Sequence, residues 1–596
     1  MPNVEQDIHS FAKPEVARVT HVALDLTADF ATKTLSGRAV LTLQRAPGAT
    51  AVVLDTRDLT IERVADAVGQ ALSFALGDLD PVRGRALTVQ LPAGITEIAV
   101  AYRTSPTAEA LQWLAPAQTA GGRHPYLFSQ GQAILTRTWI PTQDSPGVRQ
   151  TYTARMVVPR ELRAVMSAEQ VTPDGVEVAG GRAFEFRLAQ AVPPYLIALA
   201  VGDIAFQPLG PRTGVFTEPS VLPAAAKEFG ELEQMVTSAE ALLGPYRWGR
   251  YDLLVLPPSF PFGGMENPRL TFATPTIIAG DRSLVSLVAH ELAHSWSGNL
   301  VTNATWSDFW LNEGVTTYVE NRIMEAIYGA ERAAMLDVLE RETLQGELST
   351  LPAADTVLHI DLAGRNPDDG MTQVPYAKGS ALLRLMEETL GRERFDAYLR
   401  SYFDRYAFQS ITSAVFLQDV NQQLLKGDAA LAATLRLDEW VYKPGLPENA
   451  PRPRSAAFEA VEGQVAVLAG GARAATLAPA AAGWSTQEWL HFLGKLPPTL
   501  SAAQIADLDK TFGLTGRGNS EILFAWMRIA IRHRYQPAMP ALERFLTSQG
   551  RRKFLRPLYE DLMATDWGKA EARRIYTTAR PLYHAVSVGT IDTIVK

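Results

Sequence analysis

The first two hundred residues carry a period of two. In His21-Val22-Ala23-Leu24-Asp25-Leu26, Arg38-Ala39-Val40-Leu41-Thr42-Leu43 and Thr96-Glu97-Ile98-Ala99-Val100-Ala101-Tyr102, apolar side chains alternate or strand-forming residues dominate. That pattern buries one face of a strand and wets the other. Ser36-Gly37, Pro47-Gly48 and Asp174-Gly175 read as turns between such runs. Residues 1–205 are therefore expected to form an antiparallel β saddle or sandwich.

Near residue 206 the pattern changes. Tyr251-Asp252-Leu253-Leu254-Val255-Leu256 still reads as a strand and leads through Pro257-Pro258 into a Gly-rich turn. Helical spacing dominates afterwards. Leu284, Leu287, Val288 and Leu292 share one helical stripe, with Gly280-Asp281 as turn and N-cap ahead of Ser283. A second helical pattern opens at Trp310 and stops near Gly329. Four prolines between Tyr442 and Pro453 rule out a helix there, because proline removes a donor and fixes φ. We read 442–458 as a linker. Beyond it, Thr486 to Phe492, Ala502 to Phe512, Ser520 to Ile531 and Met539 to Thr547 read as short amphipathic helices of similar length. They suggest helix pairs stacked like a solenoid over 459–596. The chain is thus a multidomain α+β protein with its chemistry in 206–441.

That chemistry centres on His290-Glu291-Leu292-Ala293-His294, with Glu313 nineteen residues beyond His294. Residues four apart on a helix share a face, so both imidazoles point the same way. Two imidazole nitrogens and a carboxylate oxygen make the His₂Glu set of a catalytic zinc, with one coordination position left for water. Glu291 lies beside the ligands, where it can take a proton from that water. Ahead of the helix, Gly263-Gly264-Met265-Glu266-Asn267 supplies a bare backbone that an extended peptide can pair with, and a carboxylate that can hold an ammonium.

Composition narrows the setting. At 596 residues the chain is too long for one core. With 47% apolar and 20% charged residues it reads as an ordinary globular protein, and a net charge of −8 gives no footing for nucleic acid or an anionic membrane. No apolar run approaches the length of a membrane span. With no Cys, disulfides, a thiol nucleophile and a Cys-ligated metal are excluded. Met1 to Lys13 lacks an apolar core segment and does not read as a signal peptide, so the cytoplasm is expected; the oligomeric state is open, with a monomer as the default.

The Gly263–Asn267 ledge followed by the His290–Glu313 pattern resembles the M1 family of zinc aminopeptidases. Within it, the chain is similar to the leukotriene A4 hydrolase branch and its bacterial aminopeptidase relatives. Gln112-Trp113-Leu114, His124-Pro125-Tyr126-Leu127-Phe128-Ser129-Gln130, Val374-Pro375-Tyr376-Ala377-Lys378-Gly379 and Gly550-Arg551-Arg552-Lys553-Phe554 carry that closer match, which runs the whole length. The resemblance implies a β saddle, a thermolysin-like catalytic domain and a C-terminal α-helical domain. It implies one Zn²⁺ per chain on His290, His294 and Glu313, with Glu291 as general base and Tyr376 as donor to the developing oxyanion. Gly263, Gly264 and Met265 would line the substrate, while Glu266 and Gln132 would grip the ammonium of a short peptide with a free N-terminus.

Arg551 and Lys553 resemble the family's anchors for the peptide carboxylate; a solvated basic turn at a helix start is the other reading. Asp368 aligns with the acid that directs water in the epoxide-opening reaction of this branch. It is otherwise a partner for a basic first residue, or a turn former in Pro367-Asp368-Asp369-Gly370. Met371 stands where the lipid-processing enzymes carry tyrosine. The expected activity is therefore aminopeptidase, with two rivals. One is a bifunctional epoxide hydrolase and aminopeptidase; the other is a peptide-binding protein with a dead site.

Overall fold

The computed structural model describes residues 7–596, so the first six residues of the N-terminal segment discussed above lie outside the description. The leading strands follow their sequence period. β1 (Ala17–Asp29) buries Val22, Leu24 and Leu26 on one face, and pairs antiparallel with β2 (Thr34–Arg45) and parallel with Gln150–Val158. Among the described residues these belong to an eight-stranded sheet, joined by sheets of four and three strands. Ser36-Gly37 is not the turn expected from sequence but lies inside β2. A Cβ on Gly37 would sit 2.0 Å from the Asp25 carbonyl oxygen, so glycine is required there by close approach of β1.

A further, five-stranded sheet begins at Ala205–Pro208. Its order is Ala205–Pro208, Thr213–Thr217, Tyr251–Val255, Leu270–Ala273, Gly264–Met265. The last strand pairs antiparallel with Leu270–Ala273 and forms one edge of the sheet. An edge strand presents unpaired backbone groups to anything extended beside it.

Helices follow: α1 (Ser286–Ala293) packs on the Gly264–Met265 and Leu270–Ala273 strands, and α2 (Trp310–Tyr328) packs on α1. In turn α3 (Ala330–Leu348) and α4 (Gly379–Leu390) pack on α2, α4 being entered through a π turn, Val374–Lys378. One apolar core runs without a break from Ala17 to Ala450, joining the β-rich and catalytic regions.

Backbone without helix or strand spans 443–455; helices on either side take in Tyr442 and residues 456–458 of the expected linker. It is strapped down: Lys378 Nζ donates to the Lys443 carbonyl at 2.9 Å, and the Gly445 N–H donates to Thr356 Oγ1 at 2.8 Å. The remaining helices enclose their own core from Val461 to Ile591. Alternate helices pack in layers. Ala456–Ala469 lies on Thr486–Lys495, which lies on α5 (Ser520–Arg532); α5 lies on α6 (Arg552–Met563), which lies on Ala585–Ile594. That is the solenoid-like arrangement expected from the helix lengths. No helix among the described residues is long and apolar enough to cross a membrane.

Candidate active site

α1 starts at Ser286, later than the Ser283 start read from sequence. Side-chain acceptors explain the delay. Glu228 takes the N–H groups of Ala279, Gly280 and Arg282 at 3.3, 2.9 and 3.0 Å, and Asp281 takes that of Ser283 at 3.0 Å. They hold the approach in a turn, and Asp281 caps that turn rather than the helix. His290 then occupies the last turn of α1 and His294 its C-cap, while Glu313 stands in the first turn of α2.

The three side chains converge. His290 Nε2 lies 3.1 Å and His294 Nε2 3.4 Å from the same Glu313 Oε2. On the far side of each ring, His290 Nδ1 meets Glu320 Oε2 and His294 Nδ1 meets the Ser297 carbonyl oxygen, both at 3.0 Å. A carboxylate and a carbonyl only accept, so each Nδ1 carries a proton, and Nε2, on the Glu313 side, is the ring atom placed to meet a metal. That is the second layer of bonds a metal-binding histidine needs. Burial works against charge on His290, yet Glu313 and Glu320 lift its pKa well above the ordinary imidazole value. The pocket therefore draws positive charge. Two imidazoles and a carboxylate within 4.8 Å of one another fit zinc in kind and number.

Glu291 points at the same space, with a buried Oε2 that has no partner among the described residues. Burial pushes its carboxyl up to about 8, against the pull of His290 and His294. A Cβ on Gly264 would sit 2.2 Å from Glu291 Oε1, so the second ledge glycine leaves room for this carboxylate. Ligand atoms of Glu266 lie within 4.8 Å of those of Glu291 and His294. Glu266 is 3% exposed and held by Asn312 Nδ2 and Tyr195 Oη, each donating to Oε1 at 3.3 Å. Asn299 Nδ2 fixes its backbone carbonyl at 2.7 Å.

The matches to known families cover these regions in order. Residues 18–196 match the peptidase M1 N-terminal domain, 230–439 the peptidase family M1 domain, and 484–595 the leukotriene A4 hydrolase C-terminal domain. The chain is 38% identical to leukotriene A-4 hydrolase of Xenopus laevis, over 98% of both chains. The chain belongs to peptidase family M1. It is also 34% identical to aminopeptidase B of Mus musculus, across 99% of this chain and 96% of that one. A solved structure of yeast leukotriene A4 hydrolase with bestatin superimposes with a TM-score of 0.91 at 30% identity, covering 100% of this chain and 98% of the other. The protein is accordingly a zinc metallo-aminopeptidase of the M1 family with that family's three-part fold.

Tyr376 of this M1 enzyme sits in the π turn ahead of α4, its ring stacked on His290 at 6.0 Å and edge-on to Phe309 at 6.1 Å. Burial, with Glu313, Glu266 and Glu291 nearby, raises its phenol well above the ordinary value and keeps it a donor. Two glycines bring it there. A Cβ on Gly314 would meet Gly379 Cα at 2.6 Å, and one on Gly379 would meet Gly314 Cα at 2.7 Å. Without side chains at that crossing, α2 and α4 touch backbone to backbone.

Gln132 is buried with Nε2 unpartnered among the described residues, and Met265 is buried with its sulfur 3.1 Å from Gln130 Nε2. Asp368, in the short helix Pro367–Gly370, has a buried Oδ1 without a hydrogen-bond partner among the described residues. Burial raises its carboxyl to about 6 despite Arg552. Arg551 reaches the ledge from the helical region, its Nη2 2.7 Å from where a Cβ on Gly263 would be. The turn that carries it is zipped to the loop before the ledge, Gly550 N–H to the Pro258 carbonyl at 2.7 Å and Arg552 N–H to that of Pro261 at 2.8 Å. Lys553 is more open, its side chain 54% exposed.

Sequence reading missed Glu320, Asn312, Tyr195, Asn299 and the Gly314–Gly379 crossing. Glu320 had a signal: it follows Glu313 by seven residues, two helical turns along the same face. Tyr195 had none, since it comes from the β-rich region.

Proposed function

We propose that this enzyme removes residues one at a time from the free N-terminus of short peptides. The observation that carries the reading is the buried Glu266 carboxylate beside Glu291 and His294. A fixed anion one residue from the reacting carbonyl rewards a peptide that begins with an ammonium there. His290, His294 and Glu313 would hold the metal. When bound, zinc supplies Lewis acidity, acidifying a water and polarising a carbonyl. Glu291 takes a proton from the attacking water and hands it to the leaving amine. Tyr376 donates to the oxygen on which charge grows, an interaction that strengthens only toward the transition state. Glu266 and Gln132 grip the ammonium, the Gly263–Met265 edge pairs with the peptide backbone, and Arg551 and Lys553 receive the C-terminal carboxylate.

The test is hydrolysis of Arg-Ala-Ala beside its N-acetylated form by zinc-loaded protein. Cleavage of the free peptide alone is expected. Equal cleavage of both would remove Glu266 from its role and leave an endopeptidase. The X. laevis relative's name and the alignment of Asp368 favour a second activity on lipid epoxides; Met371, which has no hydroxyl, opposes it. We infer little epoxide turnover, which assay on an epoxide of a polyunsaturated fatty acid decides. The same reading has a monomer working in the cytoplasm, which size-exclusion chromatography and cell fractionation test.

A further inference from the structure

Arg551 and Lys553 share one acid. Glu521, 8% exposed in the first turn of α5, accepts from Lys553 Nζ at 2.8 Å on Oε1 and 2.9 Å on Oε2, and from Arg551 Nη1 at 3.3 Å on Oε1. Arg551 itself is 6% exposed; its other bond from Nη1 goes to Thr276 Oγ1 at 3.3 Å, and its Nε has no partner among the described residues. Glu521 is in turn fixed by its own N–H, which donates to Asn519 Oδ1 at 3.0 Å.

We propose that Glu521 is the positioning residue of the carboxylate-binding corner, pinning the Arg551 guanidinium against Gly263 so that it meets the C-terminal carboxylate of a bound peptide. The proposal rests on the reading of Arg551 given above.

Three physical points support it. A guanidinium recognises a carboxylate through a planar fork, which is selective only if its orientation is fixed beforehand. Beyond Glu521, Thr276 supplies one neutral acceptor and the Phe554 ring lies 5.0 Å from the guanidinium carbon; neither is an anion that fixes the direction of the fork. Burial alone would raise the Glu521 pKa, but Lys553 and Arg551 bring it below the ordinary value, so it is an anion at neutral pH. Two cations and one anion then leave a single positive charge at the corner, matched to one carboxylate. Lys553, on its flexible and half-exposed stem, completes the neutralisation of Glu521 and leaves the inner face of Arg551 to the substrate.

The zinc-loaded enzyme is assayed on Arg-Ala-Ala and on its C-terminal amide, and the ratio of the two kcat/KM values is read. Glu521→Gln should lower the acid-to-amide ratio about tenfold, through KM for the acid. In an Arg551→Ala background the same change should move the ratio less than twofold, because Glu521 acts through Arg551. A role confined to gluing α5 to α6 would lower both substrates together and leave the ratio alone, which overturns the proposal; so does full additivity with Arg551→Ala. If Arg551→Ala by itself leaves the ratio unmoved, the carboxylate reading fails and the proposal falls with it. If Arg551→Ala moves the ratio and Glu521→Gln does not, only the proposal falls. Should the Gln variant not fold, Glu521→Asp keeps the charge but shortens the reach. Its ratio should lie between those of the parent and Arg551→Ala, and a parental ratio overturns the proposal.

Discussion

Adding one methyl group at Gly314 tests how Tyr376 is held in place. The Cβ of an alanine would lie 2.6 Å from Gly379 Cα, 2.8 Å from the Pro375 carbonyl oxygen and 3.0 Å from Gly379 C. All three are backbone atoms, so no side chain can swing aside. Non-bonded carbons rest at about 3.5–4.0 Å, and α2 and α4 must therefore part by about 1 Å. Overpacking of this kind costs about 1–3 kcal/mol. The strain falls on Pro375, the neighbour of Tyr376, and a 1 Å misplacement of a catalytic group costs up to about 10²-fold in rate. Gly314→Ala should thus lower kcat on Arg-Ala-Ala by about 10- to 100-fold and lower the melting temperature. Because Gly314 also adjoins Glu313, zinc per chain is measured alongside to separate lost metal from a displaced tyrosine. Gly346, inside α3 with open space around its Cβ direction, is the control: Gly346→Ala should stabilise by about 0.5–1 kcal/mol. A Gly314→Ala protein with parental kcat and melting temperature would refute the reasoning, since the crossing would then have slack.

Three other changes probe the site. Tyr376→Phe keeps the ring stacked on His290 but loses the hydroxyl, so kcat should drop about 10²- to 10³-fold with KM nearly unmoved; a KM effect alone would assign the phenol to ground-state binding. Glu320→Ala frees the Nδ1 of His290, and zinc affinity should fall about 10- to 100-fold, read by competition with a chelator; unchanged affinity would show that the ring needs no such support. Asp368 gives a pH dependence. Its carboxyl is raised to about 6 by burial, with Arg552 pulling it down and Asp369 and Glu109 pushing it up. A raised acid contributes stability that is full below its unfolded pKa of about 3.9 and lost as pH rises through 6. Asp368→Asn should therefore gain on the parent in stability, followed by melting temperature, between pH 5 and pH 8, by about 1.4 kcal/mol, the part of the effect that titrates above pH 5. A constant difference across that range would place the carboxylate in water.

Much of this protein was legible in the letters, for reasons that are local. Alternation in His21–Leu26 and helical spacing after Trp310 report which faces are buried, and burial periodicity follows from backbone geometry alone. The four-residue spacing of His290 and His294 likewise fixes a shared face whatever surrounds the helix, and Pro444 to Pro453 forbid a helix in any context. Ser36-Gly37 misled because a glycine demanded by a neighbouring strand looks in sequence like one demanded by a turn. Asp281 misled because Glu228, more than fifty residues earlier, had taken the N–H groups around it. What the sequence determined was each element and its chemical inventory. Only the tertiary structure decided which distant groups meet: Tyr195 on Glu266, Gly314 against Gly379, Glu521 between Arg551 and Lys553. Those contacts depend on how separate elements pack, and packing is fixed by the shape of the whole core rather than by any local period.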